Sequence, residues 1–278
     1  MKNLLSSLSF FALMLSGLCA VSQESVMLKY GMKEGDRFLQ NMEITQNTMQ
    51  SVMGQEVKVL GEISGVSHLL VEAVTAEGNT TALLTVGELT VHQAAMGKDT
   101  TITLKDIKES SRIVVSPNGK VISSARVDSS EVAALVNQME PGRLRSLPGK
   151  EVKVGESWSE SYTETKNSTP GTPFGLEMAI ENEYTLVGRE SREGKEYFKI
   201  TSTGTIAVTG KGEQAGMEMF VEGNAKVAGY SLFDPELSMV VYTEDDTEME
   251  LNVAISGPQN MTVPMTQSIK TITRFSKE

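Results

Sequence analysis

Cysteine is almost absent from this chain. The single cysteine, Cys19, lies inside an apolar N-terminal segment. If that segment is removed, the mature chain has neither a disulfide framework nor thiol chemistry. Aromatic residues make up only 5% of the chain. Sheets that cross a membrane usually carry aromatic girdles at both interfaces, so this scarcity argues against that class.

The N-terminal segment predicts a secretory signal peptide at residues 1–22. Lys2 supplies the positive end, and an apolar run broken only by small polar residues extends from Leu4 to Leu18. The run is shorter than the roughly 20 apolar residues that span a bilayer. Cleavage is expected after Ser22, because Ala20 and Ser22 are the small residues that the peptidase needs. We therefore expect a periplasmic or secreted protein with no transmembrane segment after cleavage.

Cys19 leaves one alternative open, in which it is the acylated first residue of a bacterial lipoprotein. That processing requires a small residue before the cysteine, and Leu18 stands there instead. The sequence therefore favours cleavage after Ser22 over lipidation.

Positive charge is also in deficit. The formal net charge is −11, and it becomes −12 when Lys2 leaves with the signal peptide. A surface of this sign repels phosphate backbones, so no nucleic-acid partner is expected. The remaining 256 or so residues suffice for one large β domain or two ordinary ones.

Strand periodicity fills the region from Met27 to Val127. Phe38, Gln40, Met42 and Ile44, for example, share one side of an extended segment, as in a half-buried sheet. The sequence Ser116-Pro117-Asn118-Gly119 separates two β-branched runs and predicts a hairpin.

One segment changes period. Val132, Leu135, Val136 and Met139 follow a helical spacing, after a capping position at Asp128 or Ser129 and before Pro141-Gly142. The spacing predicts one amphipathic helix, followed by a linker.

The second half again reads as strands, and it begins with a copy of the first. Six strands are predicted, at Ser157 to Thr165, Leu176 to Gly188, Tyr197 to Val208, Met217 to Tyr230, Met239 to Ile255 and Thr262 to Phe275. Seven positions match at an offset of 120 residues, which predicts a duplicated β unit. They are Lys33, Gly35, Asp36, Phe38, Met42, Thr45 and Asn47, against Lys153, Gly155, Glu156, Trp158, Tyr162, Thr165 and Asn167.

These patterns predict a mainly β protein of class α+β. We expect a first β repeat at 23–128, the helix and linker at 129–147, and a second β repeat at 148–278, packed as one unit. Long antiparallel strands twist and coil, so a curved sheet or half-barrel with the helix packed inside it is favoured. Two separate sandwiches joined by the helix are the structural alternative.

A short signature carries a family resemblance. It consists of Leu147-Pro148, then Val152 with Gly155-Glu156 and Trp158, together with Pro117-Asn118-Gly119. The chain resembles an uncharacterised family of exported bacterial proteins known only as a domain of unknown function, which implies no catalytic residues. By architecture alone it is also similar to periplasmic lipoprotein carriers, whose half-barrels enclose acyl chains, and fold-level analogy is a weak basis for function.

No local pattern predicts a catalytic, cofactor-binding or metal site. His68 and His92 lie on different strands without the further ligands that zinc needs. The carboxylate run from Glu244 to Glu248 lacks the spacing of a calcium loop and is interpreted as a solvated bend. The glycines between Gly210 and Gly216 precede a strand and not a helix, so a phosphate loop is rejected.

Methionine is the remaining unusual feature, with 16 in the full chain. Several, such as Met217, Met219 and Met249, occupy alternate strand positions, where they either fill a core or line an adaptable apolar cavity. We expect a non-enzymatic protein that binds a lipid, another apolar small molecule or an envelope protein in a concave face. The alternatives are a structural or interaction module that uses a strand edge, and a hydrolase that uses paired carboxylates. The ligand-binding residues are not predictable from the sequence.

Overall fold

A computed structural model describes residues 24–52, 54–128, 144–166, 174–214, 216–257 and 260–278. The elements in these ranges are strands, which confirms the mainly β prediction. Their bounds are β1 Ser25–Met27, β2 Arg37–Val52, β3 Gln55–Val74, β4 Thr80–Ala95, β5 Lys98–Val115, β6 Val121–Asp128, β7 Glu151–Lys153, β8 Ser157–Lys166, β9 Phe174–Arg192, β10 Lys195–Gln214, β11 Met217–Asp234, β12 Met239–Ser256 and β13 Met261–Lys277.

Eleven strands form one antiparallel sheet in the order β6-β5-β4-β3-β2-β13-β12-β11-β10-β9-β8. Neighbours in sequence are neighbours in the sheet, except where β13 pairs with β2, with Met265 opposite Gln50 and Lys277 opposite Phe38. This pairing joins the two halves of the chain into a single sheet. The alternative of two separate sandwiches is therefore wrong for the described residues.

The sheet is open, because its two edge strands, β6 and β8, are not paired with each other. Ten successive antiparallel pairings separate β6 from β8, so the two edge strands run in the same direction. Parallel neighbours require a crossover connection and cannot be joined by a tight hairpin. The chain instead passes from β6 to β8 through residues 129–156, which include β7.

One end of the sheet is sealed by a second layer. This closed end carries the turns at 75–79, 116–120, 193–194 and 235–238, and β1 pairs with β7 across it. Tyr30 N donates to Pro117 O at 2.7 Å, Gly31 N to Ser238 O at 3.0 Å, and Leu147 N to Asn118 O at 3.0 Å. The segments around β1 and β7 form this second layer, and we call them the covering segments. They therefore bind the turns of both halves.

The main hydrophobic core lies beneath this layer. Leu28 and Leu147 from the covering segments pack with the closed-end residues of strands near both edges of the sheet, among them Leu84 of β4 and Ile200 of β10. Strands so far apart in the sheet can share one core only if the sheet curls around it. We call the side that faces this core the concave face and the opposite side the convex face.

The two predicted copies adopt the same turn where they enter their first long strand. Gly35 N donates to Val71 O and Gly155 N donates to Leu186 O, at 2.9 and 2.7 Å. The two glycines have φ of 85° and 87°, a left-handed conformation that glycine tolerates best. The matching motifs therefore correspond to equivalent hydrogen bonds, and the division into repeats at 23–128 and 148–278 stays a prediction.

Glycines on β10 and β11 allow the concave face to curl tightly. The side chain of Leu176 lies over Gly210 and that of Leu251 over Gly223, where a methyl group would meet their Cδ2 atoms at 2.6 and 2.7 Å. Glycine in a strand often marks such a close approach or bend. The side chain of Leu176 in β9 can therefore lie across β10, and that of Leu251 in β12 can lie across β11.

The predicted strands of the second half coincide with β8 to β13, and most are longer in the structure. The predicted turn at Gly119 is present, with φ of 86°. The predicted helix over Val132 to Met139 and the signal peptide at 1–22 lie outside the described residues. The half-barrel prediction fits the curved sheet.

Gly229→Ala is expected to destabilise the fold by about 1 to 3 kcal/mol, the usual range for overpacking. Its new methyl group would overlap the Asp245 carboxylate and the Glu244 carbonyl. Chemical denaturation measures the difference. Gly61→Ala is the control, since its methyl group would meet only Gln46 Cβ at 3.9 Å. Equal stability of the two variants would contradict the close approach.

Candidate functional site: the concave face

The two faces of the sheet differ sharply in polarity. On β11 the side chains of Met219, Val221 and Ala225 are buried on the concave face, whereas Glu222 and Lys226 between and beyond them are exposed on the convex face. Side chains alternate between faces along a strand, so one apolar face and one polar face result. The convex face is the water-facing one.

Two apolar walls form the concave face beyond the main core. The first wall, on β2 to β5, has Met42, Val86, Leu89 and Ile107 at its centre, with Ile44, Ile63, Val91 and Leu104 against them. The second wall, on β9 and β11 to β13, has Met219, Val221, Val253 and Val263 at its centre, with Leu176, Leu251, Ile255, Met261 and Met265 against them. The walls are separate clusters and do not merge into one core.

A polar seam separates the walls where β2 meets β13. Thr48 is buried there, and its hydroxyl accepts hydrogen bonds from the amides of Gln46 and Gln267 at 3.1 and 3.2 Å. All three side chains lie on the concave face, in register with the apolar residues beside them. The face therefore offers apolar surface on both sides of a strip of hydrogen-bonding groups.

The second layer covers only the closed end of this face. Within the described ranges, no strand lies over the two walls. Their rim remains accessible, and Ile102, on the concave side of β5, is 53% exposed. A depression of about 290 Å³ at the β12–β13 tip is lined in part by Ile255 and Met261 of the second wall, and another of about 280 Å³ lies around His68 and Gly87. The centres of both walls are buried, and only their rims are exposed.

A partly buried ion pair marks the boundary between the main core and the two walls, with 13 and 21% of the Arg145 and Asp245 side chains exposed. Arg145 Nη2 lies 2.7 and 2.5 Å from the two carboxylate oxygens of Asp245, and its Nε donates to Ser231 Oγ at 3.1 Å. Burial opposes the charged form of Arg145, but the charge and hydrogen bonds of Asp245 outweigh it and raise its pKa. Tyr184 adds to the same effect. Arg145 lies in the predicted linker, which is thereby bound to β11 and β12.

Two tyrosines and a tryptophan surround this pair. Tyr30 donates its hydroxyl to Arg145 O at 2.9 Å, and burial raises the pKa of Tyr30. Burial likewise raises the pKa of Tyr184, whose ring stacks on Trp158 with centroids 5.5 Å apart. Trp158 Nε1 is a buried donor without an acceptor, which costs about 1 to 3 kcal/mol. Both tyrosines remain neutral and serve as packing and hydrogen-bonding groups.

The two histidines are on different strands, as expected, and both contact carboxylates on the convex side. His92 lies 3.2 Å from Glu62 and 2.8 Å from Asp99, and His68 lies 3.1 Å from Glu278. Sequence spacing could not reveal these contacts, because the partners lie on other strands or at the chain end. Among the described residues no group of three or more potential ligands could hold a metal ion.

The interpretation of Glu244 to Glu248 as a bend is wrong, whereas the strand predicted from Met239 to Ile255, which contains this run, is confirmed. The run lies inside β12, where alternation places Asp245 on the concave face and Glu244 on the convex face. Lys270 first, and then Tyr242, lower the pKa of Glu244 by hydrogen bonding. Burial and the Glu244 bond raise the pKa of Tyr242 to about 12. The local sequence is polar enough for a loop, but pairing with β11 and β13 overrides it.

The remaining sequence predictions concern glycine and methionine. Gly210 and Gly212 lie in β10, consistent with rejection of a phosphate loop. Met219, Met261 and Met265 all belong to the second wall, and Met219 is one of the methionines that the sequence analysis found at alternate strand positions. Arg145 was missed, since nothing in its local sequence distinguishes it from a solvated arginine.

Arg145→Met is expected to lower the free energy of unfolding by about 2 to 3 kcal/mol, because it leaves Asp245 without its cation. Breaking a buried pair typically costs somewhat more, but Asp245 keeps 21% of its side-chain exposure. Urea denaturation measures the loss. The double variant Arg145→Met/Asp245→Asn should recover part of it. A single variant as stable as the wild type would contradict a structural role for the pair.

His92 should titrate above the ordinary histidine pKa, because hydrogen bonds and charge from Asp99 and then Glu62 favour its protonated form. The stabilisation is present at low pH and is lost as pH rises through this raised pKa. NMR titration of the ring protons measures it. Asp99→Asn should lower the pKa more than Glu62→Gln does, and unchanged titration in both variants would contradict the contacts.

Comparisons with known proteins leave the family open. Neither protein-family models nor curated proteins match this chain. Among solved structures, similarity is found to an outer membrane channel from Pseudomonas putida F1, with 7% identity, a TM-score of 0.25 and coverage of 87% of this chain and 97% of that one. OccK2 of Pseudomonas aeruginosa has 6% identity and a TM-score of 0.24, with coverage of 91% of this chain and 100% of that one. Such TM-scores do not establish a shared fold. No helix in the described part of the chain is long and apolar enough to cross a membrane.

Proposed function

We propose that this protein binds an apolar small molecule, such as a lipid acyl chain, along the two walls of its concave face, where their rims are exposed, without catalysing a reaction. A sheet with one apolar face is stable only when another layer covers that face. The covering segments at the closed end account for the main core but not for the two walls. A bound apolar molecule supplies the missing layer.

The composition of the second wall supports this proposal. Met261 and Met265 are half-buried beside Leu251 and Ile255. Methionine is flexible and polarisable, so such a surface adapts to ligands of different shape. The amide and hydroxyl groups of the seam between the walls give a ligand with one polar group a place to hydrogen-bond.

The proposal includes three further expectations from the sequence. The amphipathic stripe at Val132 to Met139 is helical and packs against the concave face together with the ligand. The protein is exported to the periplasm or secreted after cleavage at Ser22, and it belongs to the uncharacterised exported family that it resembles. The ligand-bearing face then functions outside the cytosol.

A second candidate function is recognition of an envelope protein through the edge strand β6. Each of its eight residues is exposed, and Val121, Ile122 and Val127 keep 42, 55 and 46% of their surface. An unpaired edge can accept a strand from a partner. Bulges at both ends of its pairing with β5 disturb the regular register, and such irregularities usually hinder edge pairing. Purification from envelope extract discriminates the two functions, since a carrier returns lipid and an adaptor returns protein.

The carboxylate hydrolase gains less support. A general acid needs a raised pKa, whereas Asp36, Glu72, Glu156 and Glu244 have lowered pKa values. Hydrogen bonds from neighbouring cations or backbone amides lower them. A pair of carboxylates with opposite shifts in one cleft would have favoured hydrolysis.

Charged substitutions on the walls should weaken ligand binding. Ile102→Lys on the first wall and Met265→Lys on the second are each expected to weaken binding of the neutral probe N-phenylnaphthylamine at least about tenfold. A lost apolar contact of ~1.5 kcal/mol corresponds to about that factor. Fluorescence titration of delipidated protein measures the affinity.

Matched controls lie one residue away on the convex face. Thr101→Lys and Thr266→Lys introduce the same charge at exposed positions of the same strands, and probe binding should persist in both. Absence of probe binding by the wild type, or equal loss in wall and control variants, would contradict the proposal. Circular dichroism confirms that each variant is folded.

A further inference from the structure

The turn between β4 and β5 places a methionine where both backbone and solvent disfavour it. Met96 and Gly97 have φ of 50° and 77°, and Ala95 pairs with Lys98 across them. Such a two-residue turn needs positive φ at both central positions and favours Asn-Gly. Methionine lacks the short polar side chain that tolerates this conformation, and Met96 is 82% exposed.

The other half of the sheet contains a matched turn with different chemistry. Glu193 and Gly194 join β9 to β10 with φ of 53° and 79°, and Arg192 pairs with Lys195 across them. The backbone geometry is the same, but a charged residue occupies the first position and the turn lies at the closed end. The turn therefore does not require methionine, and a residue that breaks two local rules without structural gain is typical of a functional position.

The turns at the two ends of the sheet differ in charge. Each closed-end turn carries a charged residue, namely Glu77, Lys120, Glu193 and Glu236. At the opposite end, which we call the open end, β2 is followed by β3, β4 by β5, β10 by β11 and β12 by β13, with residues 53–54, 96–97, 215–216 and 257–260 between them in the sequence. The sequence places no charged residue in any of these four connections. The connecting residues at this end therefore lack charge, although the exposed Lys98 and Asp99 follow Met96 and Gly97 directly.

Other exposed apolar side chains lie near the open end on both faces of the sheet. Met49 and Phe220, on the convex side, are 46 and 49% exposed, and Ile102, on the concave side, is 53% exposed. Residues on opposite faces cannot belong to one core. Met96 and these three residues share only their position near the ends of the strands. A surface that covers all four must therefore contact the strand ends.

We propose that the open end docks on a lipid surface with Met96 inserted among the headgroups, next to the walls that bind the apolar ligand. The net charge of −11 opposes attraction to anionic lipid, so the fitting surface has neutral or zwitterionic headgroups. Apolar side chains at a membrane interface bind in proportion to the area they bury. This inference rests on the proposed function, because docking places the walls beside a source of lipid.

Sedimentation of the full chain with phosphatidylcholine vesicles tests the docking. Met96→Asn is expected to lower the vesicle partition coefficient at least about tenfold, since one buried apolar side chain contributes that factor or more. The same variant should raise the melting temperature by about 2 °C, because asparagine suits the left-handed turn. Lower binding by a more stable protein excludes unfolding as the cause.

Glu193→Asn is the matched control, and it should gain similar stability without losing vesicle binding. Adding phosphatidylglycerol at low salt should weaken the binding of the wild type. Wild-type protein that ignores phosphatidylcholine vesicles, Met96→Asn protein that binds them fully, or binding that grows with phosphatidylglycerol would each overturn the docking.

Uptake of N-phenylnaphthylamine from solution separates this inference from the proposed function. Met96→Asn should bind the probe as the wild type does, because the walls are unchanged. Vesicle docking without probe uptake by the wild type would overturn the ligand proposal and leave docking standing. Probe uptake without vesicle docking would do the reverse.

Discussion

Side-chain alternation along eleven paired strands is the constraint on which the rest of this structure depends. Because successive residues point to opposite faces, each strand contributes to one apolar and one polar surface. Water must be excluded from the apolar one, and the sheet achieves this partly by curling. Glycines such as Gly210 and Gly223 let the neighbouring strands' side chains cross the curled region.

Covering segments complete this exclusion at one end only. The buried contacts of Leu28 and Leu147, and the pairing of β1 with β7, seal the closed end. Arg145 and Asp245 mark where this sealed core meets the two walls. Beyond that boundary the apolar face continues without a second layer among the described residues. The same pattern that builds the core thus creates the surface proposed to bind a ligand.

The sequence predicted the strands well because period-two patterning dominates over local composition. The predicted segments from Ser157 to Phe275 match β8 to β13, and Met219, one of the methionines at alternate positions, lies on the second wall. Glu244 to Glu248 was mistaken for a bend, because a polar run gives no sign of the strands that pair on both sides. An alternation analysis of that run would have placed one carboxylate inward, but its partner Arg145 is 100 residues away in the chain and carries no local signal.

The sequence also did not show which turns lie at the open end and which at the closed end. Which turns lie together depends on the pairing of β13 with β2, a contact more than 200 residues apart in the chain. Once the topology is known, a turn such as Met96-Gly97 stands out against Glu193-Gly194. The contrast is chemical, but only the fold places the two turns at opposite ends.

Native mass spectrometry of the full protein, purified from its own cell envelope without detergent, tests the central claim most directly. The account predicts a species heavier than the bare chain by the mass of an apolar small molecule, released on mild activation and absent from Ile102→Lys protein. A wild-type spectrum containing only the unliganded mature chain, together with walls protected from hydrogen exchange in that state, would contradict it.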